Sequence, residues 1–342
     1  MKISFKNDYS EGCHPHIIEN LLATNLHQQN GYGLDEYCRQ AENLIKEEFG
    51  ATKSQVFFVT GGTQANLLAA AAFLKPFESI IAANFGHINT NETGAIEATG
   101  HWINSVDSED GKVNVGQIQH ILDIHTNTPH QVRPKMVYIS QATELGTVYT
   151  RDELAHLKNF CEENSLYLYM DGARLSQALV SKFSGLKPEE LGVLTDAFYF
   201  GGTKNGAIIG EAMVINNISL QQDFAFHMKQ RGALLAKGRL LGIQFRTLLE
   251  GELYLKLAEH ANQQAGKIAE AFRNKNIEFL AEPQTNQIFP LLTRNQVDEL
   301  SKNFEFYEWK KADHEKIAVR LITSWATPSE DTEILINAIR QL

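Results

Sequence analysis

The stretch Asp196-Ala-Phe-Tyr-Phe-Gly-Gly-Thr-Lys204-Asn-Gly206 runs from apolar residues into two glycines, a hydroxyl residue and a single lysine. It predicts a buried strand that ends in a tight, small-residue loop with an amine at its tip. An amine held away from bulk water and near other cations titrates low enough to condense with a carbonyl. Taken alone, the same stretch also fits a phosphate contact or a plain surface loop. Some thirty residues earlier, Leu166-Tyr-Leu-Tyr-Met-Asp171-Gly-Ala-Arg174 reads as a second buried strand, this one ending in a carboxylate. A strand ending in a carboxylate followed by a strand ending in a lysine is the arrangement that pyridoxal 5'-phosphate requires. Its aldehyde needs the lysine, and its ring nitrogen needs an acidic partner.

The flanking sequence places this pair in an α/β frame. Short apolar runs at 56–59, 79–83, 136–140, 167–170, 197–200 and 213–215 alternate with helical patterns, so they predict a parallel-dominated sheet. Thr150-Arg-Asp-Glu153 is a capping box at the start of one helix, and Pro15 suits the first turn of another. After a largely helical stretch from about 217 to 264, strands are expected at 277–280, 287–289, 304–307 and 319–323, with helices near 295–302 and 329–341. The expected organisation is an N-terminal segment (1–30) near the active site, a large cofactor-binding domain (31–250) and a small C-terminal α+β domain (251–342).

Composition narrows the function classes. At 342 residues, 43% hydrophobic and 21% charged, the chain has the make-up of an ordinary enzyme with a substantial core. A net charge of -10 argues against a nucleic-acid or anionic-membrane binder. Three scattered cysteines without a CxxC pair are expected to be free thiols in a cytoplasmic protein. No signal peptide or membrane span is expected. HExxH, a zinc-type Cys/His set and a GxSxG elbow are all missing, and no metal is expected.

Thr60-Gly61-Gly62-Thr63-Gln64, between a strand and a helix, has the composition of a phosphate cradle at a helix N-terminus. It also fits a plain strand–helix turn. Ligands gather at the carboxyl ends of parallel strands, which favours a cofactor site. His87 follows the 79–83 strand, where an imidazole could stack on a flat ring and move protons; a structural histidine would fit equally. Arg174 could reach a substrate carboxylate through a two-pronged contact. Arg320, midway along an apolar strand, needs an anionic partner.

This set resembles the threonine aldolase/β-eliminating lyase group of fold-type I pyridoxal-phosphate enzymes over nearly the whole chain. The resemblance rests on Tyr32-Gly33, Thr60-Gly-Gly-Thr-Gln-Ala-Asn66, His87, Asp171-Gly-Ala-Arg174, Lys204, Thr285-Asn-Gln-Ile-Phe289 and Val319-Arg-Leu-Ile-Thr323. It implies that Lys204 bonds the cofactor aldehyde, Asp171 pairs with the ring nitrogen and His87 stacks on the ring. Gly61, Gly62, Thr63 and Thr203 are implied to hold the phosphate. Arg174 and Arg320 are implied to hold the substrate carboxylate, and His130 falls where a second active-site histidine is common. The sequence departs from the group in two places. Asn7 stands where a serine is thought to touch the carboxylate, and Lys237 or Arg231 stands in for a phosphate-binding arginine. The implied reaction is retro-aldol cleavage of L-threonine or L-allo-threonine to glycine and acetaldehyde. β-Elimination or transamination of another amino acid, and a non-catalytic pyridoxal-phosphate binder, are the alternatives. The implied assembly is a homodimer or homotetramer with shared active sites, Tyr32 entering the neighbour's site.

Overall fold

The computed structural model of the chain describes residues 2–342. Ile3–Ser4 forms a two-residue strand, β1. The central sheet has seven strands: β2 (Gln55–Val59), β3 (Glu78–Ala83), β4 (Ile103–Val106), β5 (Arg133–Ser140), β6 (Tyr167–Asp171), β7 (Ala197–Gly201) and β8 (Glu211–Ile215). Their spatial order is β2-β8-β7-β6-β5-β3-β4. β4, β3, β5, β6 and β7 pair in parallel, while β8 runs antiparallel to both β7 and β2. All strands but β8 therefore deliver their carboxyl ends to one edge. That edge is where helix N-termini and strand-end side chains converge.

The sheet forms because these runs are apolar on both faces, as strands covered by helices on each side must be. Phe198, Phe200, Val214, Leu168 and Met170 belong to one core, and Tyr138, Tyr169, Tyr199, Met213 and Ile215 to the other. The helix Gly62–Phe73 covers the second face, and Arg151–Glu163 opens with the expected reciprocal cap between Thr150 and Glu153. No helix among the described residues is long and apolar enough to cross a membrane.

The 22-residue helix Leu253–Asn274 leads from the sheet to a third, smaller core. There β9 (Gln287–Ile288), β10 (Leu291–Thr293), β11 (Phe304–Glu305), β12 (Tyr307–Lys311) and β13 (Lys316–Ile322) lie with the helices Arg294–Ser301 and Ser329–Arg340. β13 pairs antiparallel with β9, β10 and β12, and β1 pairs in parallel with β11. The chain's first strand is thus tied to its last third, with Phe5 buried in the same core. The strand expected at 277–280 reduces to an isolated bridge between Phe279 and Pro290. β4 was not expected: its Ile-Asn-Ser-Val alternation carries a weak apolar signal because it is the outermost strand of the sheet.

Candidate active site

The strand ends meet at a cavity in two adjoining chambers. The inner one, about 270 Å³, is lined by Thr60, Gly61, Gly62, Thr63, Asp171, Tyr199, Thr203 and Glu211. The outer one, about 480 Å³, is lined by Asn91, Gln287, Tyr307, Glu308, Trp309 and Arg320. Tyr9, His87, Glu144, Arg174 and Lys204 face both.

Asp171, the last residue of β6, forms the floor. Its Oδ2 accepts from Tyr138 Oη (2.6 Å) and Asn66 Nδ2 (3.1 Å). Its Oδ1 accepts from the Ala173 backbone N–H (3.1 Å) and from Tyr199 Oη. Burial by itself pushes this carboxyl up. The charge of His87 and the bonds from Tyr138, Tyr199 and Asn66 outweigh burial and hold it below the usual range. The register explains the cluster. Tyr138 lies beside Tyr169 across β5 and β6, Ser140 beside Asp171, and Tyr169 beside Ala197 of β7. With side chains alternating, Tyr138, Ser140, Tyr169, Asp171 and Tyr199 share one face. Gly62 is required by that arrangement, since a Cβ there would sit 2.7 Å from the Tyr199 hydroxyl.

A buried chain of polar contacts extends the floor. Asn66 Nδ2 also donates to Glu92 Oε1 (2.8 Å), and Tyr169 Oη donates to Asn66 Oδ1 (3.1 Å). Glu92 Oε1 bonds His87 Nδ1 at 2.8 Å. Burial favours a neutral imidazole at His87, but its bond to Glu92 and the charge of Asp171 raise its pKa overall.

Lys204 stands in the loop after β7, with Gly206 at φ +94° behind it. Among the described residues no carboxylate lies within ion-pair distance of its Nζ. Burial, then the Arg174 charge, lowers its pKa against the opposing pull of Asp8, Asp171 and Glu211. The helix Gly62–Phe73 begins at the inner chamber with Gly61 as a cap that offers no side-chain bond, so its first N–H groups remain available for an anion. Thr203 Oγ1 accepts from the Gly210 N–H at 3.0 Å.

Two arginines differ sharply. Arg174 holds the buried Asp8 with Nε (2.7 Å) and Nη2 (3.0 Å), and Asn286 Nδ2 supports the same carboxylate at 3.0 Å. Arg320, on β13, lies between the rings of Tyr307 and Trp309, 5.0 Å from each centroid. Its Nε is buried without a partner, and burial, followed by the Arg174 charge, lowers its pKa. A guanidinium desolvated in this way calls for an anion.

The structure brings Gly61, Gly62, Thr63, His87, Asp171, Arg174, Thr203, Lys204 and Arg320 together. Four expected residues stand elsewhere. His130 is exposed in the loop before β5, at the amino end of that strand and so at the opposite edge of the sheet. Asn7 spends its Oδ1 on Tyr9 N–H (3.1 Å) and Ser10 Oγ (2.8 Å), and its neighbours Asp8 and Tyr9 reach the site instead. Tyr32 and Lys237 are exposed. Tyr32, at φ +59°, borders a separate apolar groove of about 580 Å³ with Phe226, Leu234 and Leu235. Sequence reasoning overlooked Asp8, Asn66, Glu92, Tyr138, Glu144 and Tyr199. The tyrosines of β5 and β6 had a signal, since polar groups recur at every second position there, Tyr138 and Ser140 on one strand and Tyr167, Tyr169 and Asp171 on the next.

The sequence and the fold are both similar to those of known proteins. Residues 9–294 match the model of the family described as Beta-eliminating lyase. The chain is 32% identical to the low specificity L-threonine aldolase of Pseudomonas aeruginosa, over 98% of this chain and 96% of that one. It superposes on a solved structure of Leishmania major threonine aldolase with a TM-score of 0.97 and 41% identity, covering 99% of each chain. An aspartate aminotransferase variant from Thermus thermophilus, 14% identical, shares the fold with a TM-score of 0.74 over 99% of this chain and 91% of that one.

Proposed function

We propose, on the premise that the chain belongs to the beta-eliminating lyase family, that it cleaves a β-hydroxy-α-amino acid, L-threonine or its allo form, to glycine and acetaldehyde with pyridoxal 5'-phosphate. The observation that carries the reading is one cavity that joins Lys204, a lysine without a carboxylate at ion-pair distance among the described residues and with its pKa lowered by burial, to a buried carboxylate with four donors. The names of the full-length relatives support the substrate.

The residues fit the cofactor. Asp171 would hold the ring nitrogen, Lys204 the aldehyde, His87 the ring face, and Gly61, Gly62, Thr63 and Thr203 the phosphate. When bound, pyridoxal phosphate supplies an electron sink for the pair released at Cα. The chain's own residues set the rest. The Asp171 network fixes a negative charge on the floor through bonds that need no rearrangement. Arg320, rigid between two rings, offers its guanidinium to the substrate carboxylate, and Arg174 can add Nη1 while its other nitrogens stay on Asp8. That anchoring sets which Cα bond is aligned for cleavage.

The test is acetaldehyde release from L-threonine by the cofactor-loaded protein, with Lys204→Ala beside it. Release that disappears in the variant is expected. No release from either threonine isomer by cofactor-loaded wild type would turn the reading to β-elimination or transamination. We also propose a homodimer or a homotetramer of dimers, in which Tyr32 and Lys237 serve a neighbour's site. Exposed Tyr32 beside an apolar groove supports this. An active monomer in sedimentation would contradict it.

A further inference from the structure

Cleavage of the Cα–Cβ bond requires a base for the β-hydroxyl, and the outer chamber offers few. Asp171 has all its donors in place. Glu308 is held by Arg294 through two 2.8 Å bonds. Glu211 borders only the inner chamber, where it accepts the Gly202 N–H at 2.9 Å. Tyr9, Asn91, Gln287 and Tyr307 are neutral side chains. His87 is bonded through Nδ1 to Glu92, which favours its protonated form.

Glu144 is different. It follows β5 in a loop pinned by Thr143 and Thr147, whose hydroxyls lie 2.7 Å apart, and by Gly146 at φ +76°. Its Oε1 accepts from Ser140 Oγ (2.7 Å) and from the His87 backbone N–H (3.0 Å). Its Oε2 is shut off from solvent and has no partner. The carboxyl faces both chambers beside His87, Arg174 and Lys204.

We propose that Glu144 is a catalytic residue whose carboxylate takes the β-hydroxyl proton of the bound amino acid, an assignment that rests on the aldolase reading. The proton moves from the hydroxyl oxygen to the Glu144 carboxylate, and the O–H pair becomes the second bond of the aldehyde carbonyl. The Cα–Cβ bond breaks and its pair stays on Cα, for which pyridoxal phosphate, when bound, would supply the sink. A proton then reaches Cα, and Glu144 loses its own to water, so none is consumed. Burial and the Asp171 charge push this carboxyl up, while the Ser140 bond and the His87 charge pull the other way. Arg174 and Tyr138 also feel its charge. The net rise makes it a stronger base than an exposed glutamate.

The test is Glu144→Gln, which can keep both bonds to Oε1 but cannot take a proton. Acetaldehyde release should fall on the order of 10²–10⁴-fold. Glycine affinity, read from the cofactor's visible absorbance, and exchange of glycine's α-hydrogen with D₂O should stay within about threefold, since neither involves a β-hydroxyl. Glu144→Asp, which keeps a carboxylate, should recover part of the cleavage. Full cleavage in the Gln variant would overturn the proposal, as would proportional loss of exchange and glycine binding, which marks a merely structural role. Wild-type protein that exchanges glycine but cleaves neither threonine isomer removes the aldolase reading, and Glu144's role with it.

Discussion

The floor and the roof of the cavity are built on opposite terms. On the floor, both oxygens of Asp171 are bonded, and contacts run on through the buried Asn66 and Glu92 to the half-buried His87, leaving only Glu92 Oε2 of that group without a partner. On the roof, Arg320 keeps a buried nitrogen without a partner and Glu144 keeps a buried oxygen without one. Buried polar groups are costly when unpaired and normally absent. The contrast between them and the fully bonded Asp171 carboxylate separates a group fixed for a resident ligand from groups left for a transient one. The floor comes from adjacent strands of a single sheet. The roof comes from β13 and from the loop after β5, whose Ala142 and Val148 pack in a small cluster apart from the core of β13.

Breaking the roof should have the larger effect. Arg320→Ala removes the cation that has no competing carboxylate, so kcat/KM for threonine should fall on the order of 100-fold, the size of a charged hydrogen bond lost. Steady-state kinetics check this, and a change below threefold would mean that Arg174 alone carries the carboxylate. Arg174 is the weaker candidate, because Asp8 already occupies two of its nitrogens.

The smaller effect sharpens the picture at the inner chamber. Burial raises the Glu211 carboxyl from the ordinary 4.5 to about 7, with the Lys204 charge pulling it back. The folded protein therefore holds a proton that the unfolded chain has released between those values. This group's contribution is full below pH 4.5 and is lost as pH rises through 7, with an upper bound of about 3 kcal/mol. In the cofactor-free protein, Glu211→Gln should melt a few degrees higher than wild type at pH 8 and no differently at pH 4.5. Equal melting at both pH values would show that Glu211 stays ionised in partnership with Lys204.

The fold was largely legible because its evidence is local. Apolar runs, the Thr150–Glu153 cap and the glycines after β2 and β7 each announce themselves within a few residues. The strand-end residues followed, since the carboxyl ends of parallel strands share an edge. What escaped depends on distance in the chain. His130 and Glu144 flank the same strand, and only the direction of β5 decides that Glu144 faces the cavity while His130 lies at the far edge. Asp8 meets Arg174 because β1 pairs with β11, a contact across 300 residues that no spacing encodes. Asn66 and Glu92 look like ordinary helix and loop residues until the helix Gly62–Phe73 sets Asn66 between Glu92 and Asp171. Tyr138 and Tyr169 could have been read from the period-two alternation that places them on Asp171's face, whereas Tyr199 is the lone polar side chain of its strand.

The contrast between floor and roof is tested most directly by titrating wild type and Arg320→Ala first with pyridoxal phosphate and then with glycine, following the cofactor's visible absorbance. The account predicts unchanged cofactor affinity and a glycine affinity weakened on the order of 100-fold. Cofactor affinity falling together with glycine affinity would contradict it, because the roof would then be holding the resident group as well.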